Sequence, residues 1–411
     1  MKTVKPGITS NDLPADEPSF DTGDVDRWVG VPLGGSNMKD LVHVNDIRRW
    51  AQGMQNPNPL YYDDNFARGS RFGQIVAPQS FVVCTSDSGG GVAPAVQGRI
   101  EGTHALVAGD EWWFYGPRMF PGDRICQDRM LFDYRVAQTS FAGPAMFSRG
   151  DTTYINQRGE IIAKQRVTVI RYRAEEAVKR GRYAEAREPE WTDEQVAQIE
   201  QQHFDWIRDF RERAHSARLD VKVGTRLTRR PIGPHTVMSL TTEWRSLPAM
   251  VWGAFGDEGF HHASTEGSDW SGVAGWLPDL AREPGAARID PAYGDGLYHG
   301  PGRVHAAPRY ARMVGLPRSF GYAVGLGTWM LDFVANWAGE WGDIVHSTVS
   351  FHSPAFIGDV ALIDGEVADI VEPDPYGPIA TVRLTMTNQR GDLVASGSAN
   401  VRLPPEPKTS A

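Results

Sequence analysis

The chain has 411 residues, 41% of them apolar and 23% charged, and a net charge of −9 at neutral pH. That length suits two domains rather than one core, and an acidic balance without a basic run argues against a nucleic-acid footprint. The two cysteines, Cys84 and Cys126, can build neither a disulfide framework nor a zinc site, which points to core thiols in a reducing cytosol.

The opening stretch, MKTVKPGITSNDLPADEPSF, lacks the apolar region of a secretory signal and is expected to be a loose polar arm, set within residues 1–30. No apolar run approaches the ~18 residues needed to span a bilayer. From Asp46, DIRRWAQGMQNPNPLYYDD predicts a helix through Gln52, capped by Asn45 or Asp46 and broken by Asn56-Pro57-Asn58-Pro59. A further helical turn is expected from Asp63 to Arg68. From about Gly109 to Arg173 the pattern turns strand-like. GDEWWFYGPRMFPGDRI is an aromatic run with a Pro-Gly-Asp turn, and GDTTYINQRGEIIAKQRVTVIRY predicts two strands joined at Asn156-Gln157-Arg158-Gly159. Residues 176–220 read as a helical linker. Thr192 and Gln195 fit a capping box there, and Val196, Ile199, Trp206, Ile207 and Phe210 recur on one face.

The second half repeats this order. Phe72-Gly73 returns as Phe320-Gly321, Phe120-Pro121-Gly122-Asp123 as Phe356-Ile357-Gly358-Asp359, and Asn156-Gln157-Arg158-Gly159-Glu160 as Asn388-Gln389-Arg390-Gly391-Asp392. Leu326, Met330, Phe333 and Trp337 line one face of a predicted helix that ends at Gly339. Each unit thus reads as helical segments followed by antiparallel strands. The fold class is α+β, a sheet wrapped on a central helix.

VNDIRRWAQGMQNPNPLYYDD with FGQIVAP, and GRVHAAPRYARMVGLPRSFGY with the later Phe-x-Gly-Asp turn, resemble the two halves of a MaoC-type dehydratase. These are double-hotdog relatives of (R)-specific enoyl-CoA hydratases and of the FAS1-like dehydratase domain. The resemblance covers about residues 30–175 and 225–405. It implies two tandem hotdog folds, over 31–175 and 221–405, packed as a pseudo-dimer. It also implies a hydro-lyase acting on an acyl-CoA thioester, with no cofactor beyond the CoA moiety of the substrate. Neither nucleic acid nor membrane is expected as a partner, and the chain is expected to form a homo-oligomer, a dimer of double-hotdog chains.

The family's motif is Gly-Asp-x-Asn-Pro-(Leu/Ile/Val)-His followed by five residues and Ala or Ser. Its Asp and His hold one water between them. In the first unit Asn56 and Tyr61 take those places, and neither is a base near neutral pH. That unit is expected to be catalytically silent and to help shape the acyl pocket. In the second unit His305, five residues and Ala311 keep the register, but Gly300 stands where the acid belongs. Trp50-Ala51-Gln52-Gly53 has a counterpart in Trp252-Gly253-Ala254-Phe255, so a segment of roughly residues 258–300 is inserted within the motif. The acid is then Asp295, in a Gly-flanked turn shortly before His305, or Asp257, at the Gly-Asp position, paired with His305 or with His262. Gly325 and Gly327 lie where the central helix begins, and their N–H groups are candidates for an oxyanion hole. Arg303 and Arg312 are candidates for CoA phosphates, and the Trp- and Pro-rich insertion for a lid or pocket wall. Competing readings are a hotdog thioesterase and a non-catalytic acyl-CoA-binding subunit.

Overall fold

The computed structural model describes residues 10–11, 20–33, 41–85, 94–98, 100, 102–218, 220–237, 239, 303–372 and 376–405. Alternating runs rich in Val, Ile, Thr and aromatic residues form its strands, because such side chains pack on a half-buried pleated surface. After a two-residue strand β1 (Ser10–Asn11), the first half contributes β2 (Thr103–Phe114), β3 (Ile125–Thr139), β4 (Gly143–Asn156) and β5 (Ile161–Arg173). The second contributes a short β6 (Arg230–Ile232) and then β7 (Asp343–Phe351), β8 (Ala361–Val371), β9 (Ile379–Thr387) and β10 (Leu393–Arg402).

These strands form one ten-stranded sheet in the order β1-β3-β4-β5-β2-β7-β10-β9-β8-β6. The two sets of four long strands are arranged alike and meet at β2 and β7. Those two pair antiparallel from Gly109 opposite Ser350 to Trp113 opposite His346. The seam between the halves is therefore a backbone ladder inside a continuous sheet.

The helices are α1 (Gly23–Asp26), α2 (Val44–Gly53), α3 (Asp64–Gly69), α4 (Ala174–Arg180), α5 (Asp193–Glu212), α6 (Arg303–Ala306), α7 (Pro308–Met313) and α8 (Ala323–Ala338). Helix α8 is buried around nearly its whole circumference, from Gly325 to Ala338, as a core helix requires. It stops at Gly339, whose φ of 71° suits glycine, as its sequence pattern predicts. Trp329, Met330 and Phe333 join Val367, Val382, Leu384 and Met386 of the second half and Trp50, Phe81 and Trp112 of the first half in one core. The molecule is an α+β hotdog protein. In the first half the described counterpart of α8 is a 3-10 stretch, Gln79–Thr85, and residues 86–93 lie outside the described set.

The repeated sequence segments build the same hydrogen-bonded modules twice. Asn156 Oδ1 accepts from the N–H groups of Arg158 (2.9 Å) and Glu160 (3.0 Å), closing the β4–β5 turn. Asn388 Oδ1 accepts from Arg390 (2.9 Å) and Asp392 (3.0 Å) in the β9–β10 turn. Gln157 reaches back to Asp123 at 2.7 Å, and Gln389 to Asp359 at 2.9 Å. Each of those acids in turn accepts the N–H of its own Phe, Phe120 or Phe356.

One local expectation is corrected. Helix α2 begins at Val44, ahead of the predicted caps, because Asp46 sits in its first turn and its carboxylate accepts the His43 N–H at 3.2 Å. Of the opening arm, residues 1–9 and 12–19 lie outside the described residues, and the chain that follows is packed. Phe20 and Val25 are buried with Tyr134, Val136 and Met146, and the Tyr134 hydroxyl donates to Asp26 at 2.6 Å. In α5 the predicted capping box is present, Gln195 N–H to Thr192 Oγ1 and Thr192 N–H to Gln195 Oε1. Among the described residues no helix is long and apolar enough to cross a membrane.

Candidate active site

Pro308 opens α7, where its missing N–H is not needed, and Ala307 in extended conformation separates α7 from α6. This break swings the two short helices against the first half of the chain. Val314 and Leu316 after α7 form a cluster with Val304, Ala311, Phe320 and Phe356, against which Leu106 and Phe141 of the first half pack. The Tyr172 hydroxyl on β5 donates to the Val314 carbonyl at 2.8 Å. Gly315 has φ +86°, and a Cβ there would lie 2.6 Å from that of Ala177, so α4 and the end of α7 touch backbone to side chain. The site is thus assembled from both halves.

His305 lies on α6, its ring edge against Phe320 (4.5 Å between centroids) and Tyr322 (5.4 Å). Its Nδ1 is 2.8 Å from the Phe320 carbonyl oxygen. A carbonyl can only accept, so Nδ1 carries the proton and Nε2 presents the lone pair. Burial pushes the imidazole down to about 4, against a smaller upward pull from the Phe320 carbonyl. His305 is therefore neutral near pH 7, a hydrogen-bond acceptor through Nε2.

Tyr322 is the residue preceding the first turn of α8, and the helix ladder begins with the Leu326 N–H donating to the Tyr322 carbonyl at 3.2 Å. Gly325 is the last residue whose N–H lies ahead of that ladder. Its N–H belongs to the partial positive charge at the helix start. Gly327 lies two positions further, past the free N–H groups, and bears on the site through space instead. A Cβ on it would stand 3.3 Å from Asp110 Oδ2 and 3.8 Å from Phe351 Cζ.

Asp110 and His104 are the titratable residues that the sequence pattern left unmarked. Both lie on β2 of the first half, on either side of an irregularity in its pairing with β5 between Val107 and Gly109. His104 is 1% exposed and packs edge-on against Tyr172. Burial holds it down to about 3, and the neighbouring His305 pushes in the same direction. Asp110 Oδ1 accepts from Gln165 Nε2 at 3.0 Å, and Gln165 Oε1 accepts from the Tyr154 hydroxyl at 3.1 Å. Burial raises Asp110 to about 6 in spite of hydrogen bonds from Gln165, Trp112 and the Glu111 backbone. The available signal was an acid inside the aromatic alternation Gly109-Asp110-Glu111-Trp112-Trp113.

Asp257, Asp295, His261, His262 and His299 lie outside the described residues, as does the inserted segment. The side chain of Arg303 is likewise outside them, and Arg312 is exposed at the end of α7. The motif positions of the first half are closed by polar contacts with α8. Asn56 is 1% and Tyr61 3% exposed. Asn336 on α8 donates to Asn56 Oδ1 at 3.1 Å and accepts from Asn58 Nδ2 at 2.9 Å. Ser80 donates to Asp332 at 2.7 Å, and burial raises that carboxyl. Tyr61, raised by burial and by Asp332, is a neutral phenol at any physiological pH.

Two grooves lie elsewhere. One of about 450 Å³ runs between Pro78, Phe114, Arg118 and Asp343, where Arg71 and Arg118 both pair with Asp343. The other, about 460 Å³, lies between Asn58, Phe210, Arg218 and Glu340. Neither is lined by His305. Among the described residues no group of His, Cys, Asp and Glu has the arrangement of a metal site.

Residues 27–165 match the model of the FAS1-like dehydratase domain region. Over 159 residues the chain is 30% identical to a protein of Thermomonospora curvata named "Probable enoyl-CoA hydratase alpha subunit", covering 36% of this chain and 50% of that one. The chain thus spans about half the length of that curated relative. A solved MaoC-like dehydratase superposes with a TM-score of 0.56 at 17% identity, over 92% of this chain and 99% of the other. A MaoC domain protein dehydratase from Chloroflexus aurantiacus does so with a TM-score of 0.53 at 11% identity, over 96% and 100%. These two likenesses concern the fold. Its first third is similar in sequence to the FAS1-like dehydratase region, and along nearly its whole length the chain shares the fold of the solved MaoC-like dehydratases.

Proposed function

We propose that the protein is a hydro-lyase that adds water reversibly across the 2,3-double bond of an enoyl-CoA to give a 3-hydroxyacyl-CoA. The observation that carries this reading is the fixed tautomer of His305. With Nδ1–H held by the Phe320 carbonyl, Nε2 is left as an acceptor for water beside the start of α8. The water's second partner is the acid of the split motif, Asp295 ahead of Asp257. The thioester oxygen gains charge as the β-carbon is attacked, and the Gly325 N–H at the positive end of α8 stabilises it. The scheme draws on no cofactor, since the CoA moiety arrives with the substrate. We place the reaction in the cytosol and expect a homo-oligomer, with the internally duplicated chain as its repeating unit.

The test is a panel of 2-enoyl-CoA thioesters followed by ultraviolet absorbance and a thiol reagent together. Loss of the enone band without free thiol supports hydration. Release of free CoA thiol identifies a thioesterase, and neither signal identifies a binding subunit.

A further inference from the structure

The described part of the site holds an imidazole that is a weak base, and proton transfer at the α-carbon calls for a stronger one. The first half carries such a group. Asp110 reaches from β2 across the seam between the two halves, and its Oδ2 lies against the second turn of α8 at Gly327. A Cβ at this position would stand 3.3 Å from that oxygen, so glycine leaves the carboxylate room that a side chain would crowd. The other oxygen, Oδ1, is tied to Gln165, itself bound to Tyr154, and both of these residues are buried. This anchoring fixes the carboxylate and directs it toward the helix end at which the thioester oxygen is placed above. Glycine at 327 is also a poor choice for a helix interior by propensity alone, about 1 kcal/mol worse than alanine, so the gap has to be explained by what occupies it.

We propose that Asp110, from the half whose own motif is closed, is a catalytic proton carrier of this site, a role that rests on the hydro-lyase reading above. In the dehydration direction its carboxylate takes the α-proton of the 3-hydroxyacyl thioester. The C–H bond breaks and the electron pair passes into an enolate whose oxygen lies at the Gly325 N–H. The carboxylic acid then gives the same proton to the departing 3-hydroxyl, which His305 Nε2 holds in place. The C3–O bond breaks, the double bond forms, water leaves and Asp110 returns to its ionised form. Hydration is the reverse, and no electron donor or acceptor enters.

The groups around Asp110 leave it free to titrate in this role. Glu111 beside it on β2 pairs with His346 of β7 at 3.0 Å. On β5, Lys164 and Arg166 flank Gln165 and both pair with Asp151, at 2.7 and 2.6 Å. On α8, Asp332 accepts from Ser80. Its proton affinity, raised to about 6 by burial, suits a group that must both take and give a proton near neutrality.

The experiment compares wild type, Asp110→Asn, Gln165→Leu and His305→Ala of the full chain on the best enoyl-CoA of the panel, from pH 4.5 to 9. Asp110→Asn is expected to lower kcat by about 100-fold with KM within threefold, while thermal unfolding stays cooperative. In wild type kcat should fall on the acid side around pH 6, as the carboxylate protonates. Gln165→Leu removes a hydrogen bond that favours the ionised form, so it should move that limb to higher pH, and it tests the idea even if Asp110→Asn fails to fold. A folded Asp110→Asn with wild-type kcat, or a limb that Gln165→Leu leaves in place, overturns the assignment. If wild type hydrates and His305→Ala does not, such a result removes Asp110 alone. A wild type inactive on every enoyl thioester removes the hydro-lyase reading together with it.

Discussion

Asp110 Oδ2 and the α-carbon of Gly327 share a gap with little room for a methyl group, since a Cβ there would stand 3.3 Å from the oxygen. Gly327→Ala sets two effects against each other. Alanine in a helix interior gains about 1 kcal/mol over glycine, and the tight contact takes back a comparable amount. The expected outcome is stability within about 1 kcal/mol of wild type with kcat lowered about tenfold, a difference of about 1.4 kcal/mol in barrier. Denaturant unfolding and turnover on the same preparation check it. A variant that is no slower would show that the gap is a packing accident.

His305 makes one hydrogen bond through Nδ1 and offers Nε2 to the reaction, so the two nitrogens can be separated by substitution. His305→Asn places an amide N–H near the position of Nδ1 and can keep the Phe320 carbonyl satisfied, but has nothing at Nε2. It should remain close to wild type in stability and lose about 10²–10⁴-fold in kcat. His305→Ala strands the carbonyl as well and should cost about 1–3 kcal/mol of stability. Equal unfolding midpoints for the two variants would contradict the tautomer assignment.

Much of the architecture was legible because its signals are local and repeated. Asn156 and Asn388 each recur with the Gln and acid that complete their turns, and Gly339 marks the end of an apolar helix whose flanking strands alternate. The candidate site was legible only at His305, because the Ala311 register survives on a continuous stretch of chain. The places of His104 near His305 and of Asp110 near Gly327 depend on β2 pairing with β7 and on α7 packing against α4. These long-range contacts have no period and no motif. The same holds for Gly327, whose place next to a helix start suggested an N–H donor until the Tyr322–Leu326 bond fixed where the free N–H groups end.

The paired turn modules give a symmetric prediction. Asn156 and Asn388 each accept two backbone N–H groups and donate to a neighbouring acid, Glu160 at 2.7 Å and Asp392 at 2.9 Å. Replacing either by Ala leaves two turn N–H groups to water and should cost about 1–2 kcal/mol. The two losses should add, since the turns share no partner. Chemical denaturation of the single and double variants measures this. A loss confined to one turn would mean that the two modules differ in what they support.

Acid sensitivity follows from the buried imidazoles. His235 is 1% exposed, stacks on Trp329 at 5.1 Å, and both its ring nitrogens lack a hydrogen-bond partner. Burial lowers it to about 4 from an unfolded value near 6.5. Between those values the unfolded chain binds the proton and the folded one does not. Its contribution is therefore fully present above about pH 6.5 and is lost as pH falls toward 4, to the extent of about 3 kcal/mol. His104 and His305 act in the same direction, being lowered to about 3 and about 4. Asp110, raised to about 6, and Asp332, also raised, act in the opposite direction, because the folded state keeps their protons as pH falls below the folded value. His235→Phe preserves the stacking and removes one proton from this balance. Unfolding free energy measured from pH 7 to 4 should then fall less steeply than in wild type, by about 1.4 kcal/mol per pH unit in the middle of the window. Parallel curves for the two proteins would show that His235 already carries its proton in the folded state.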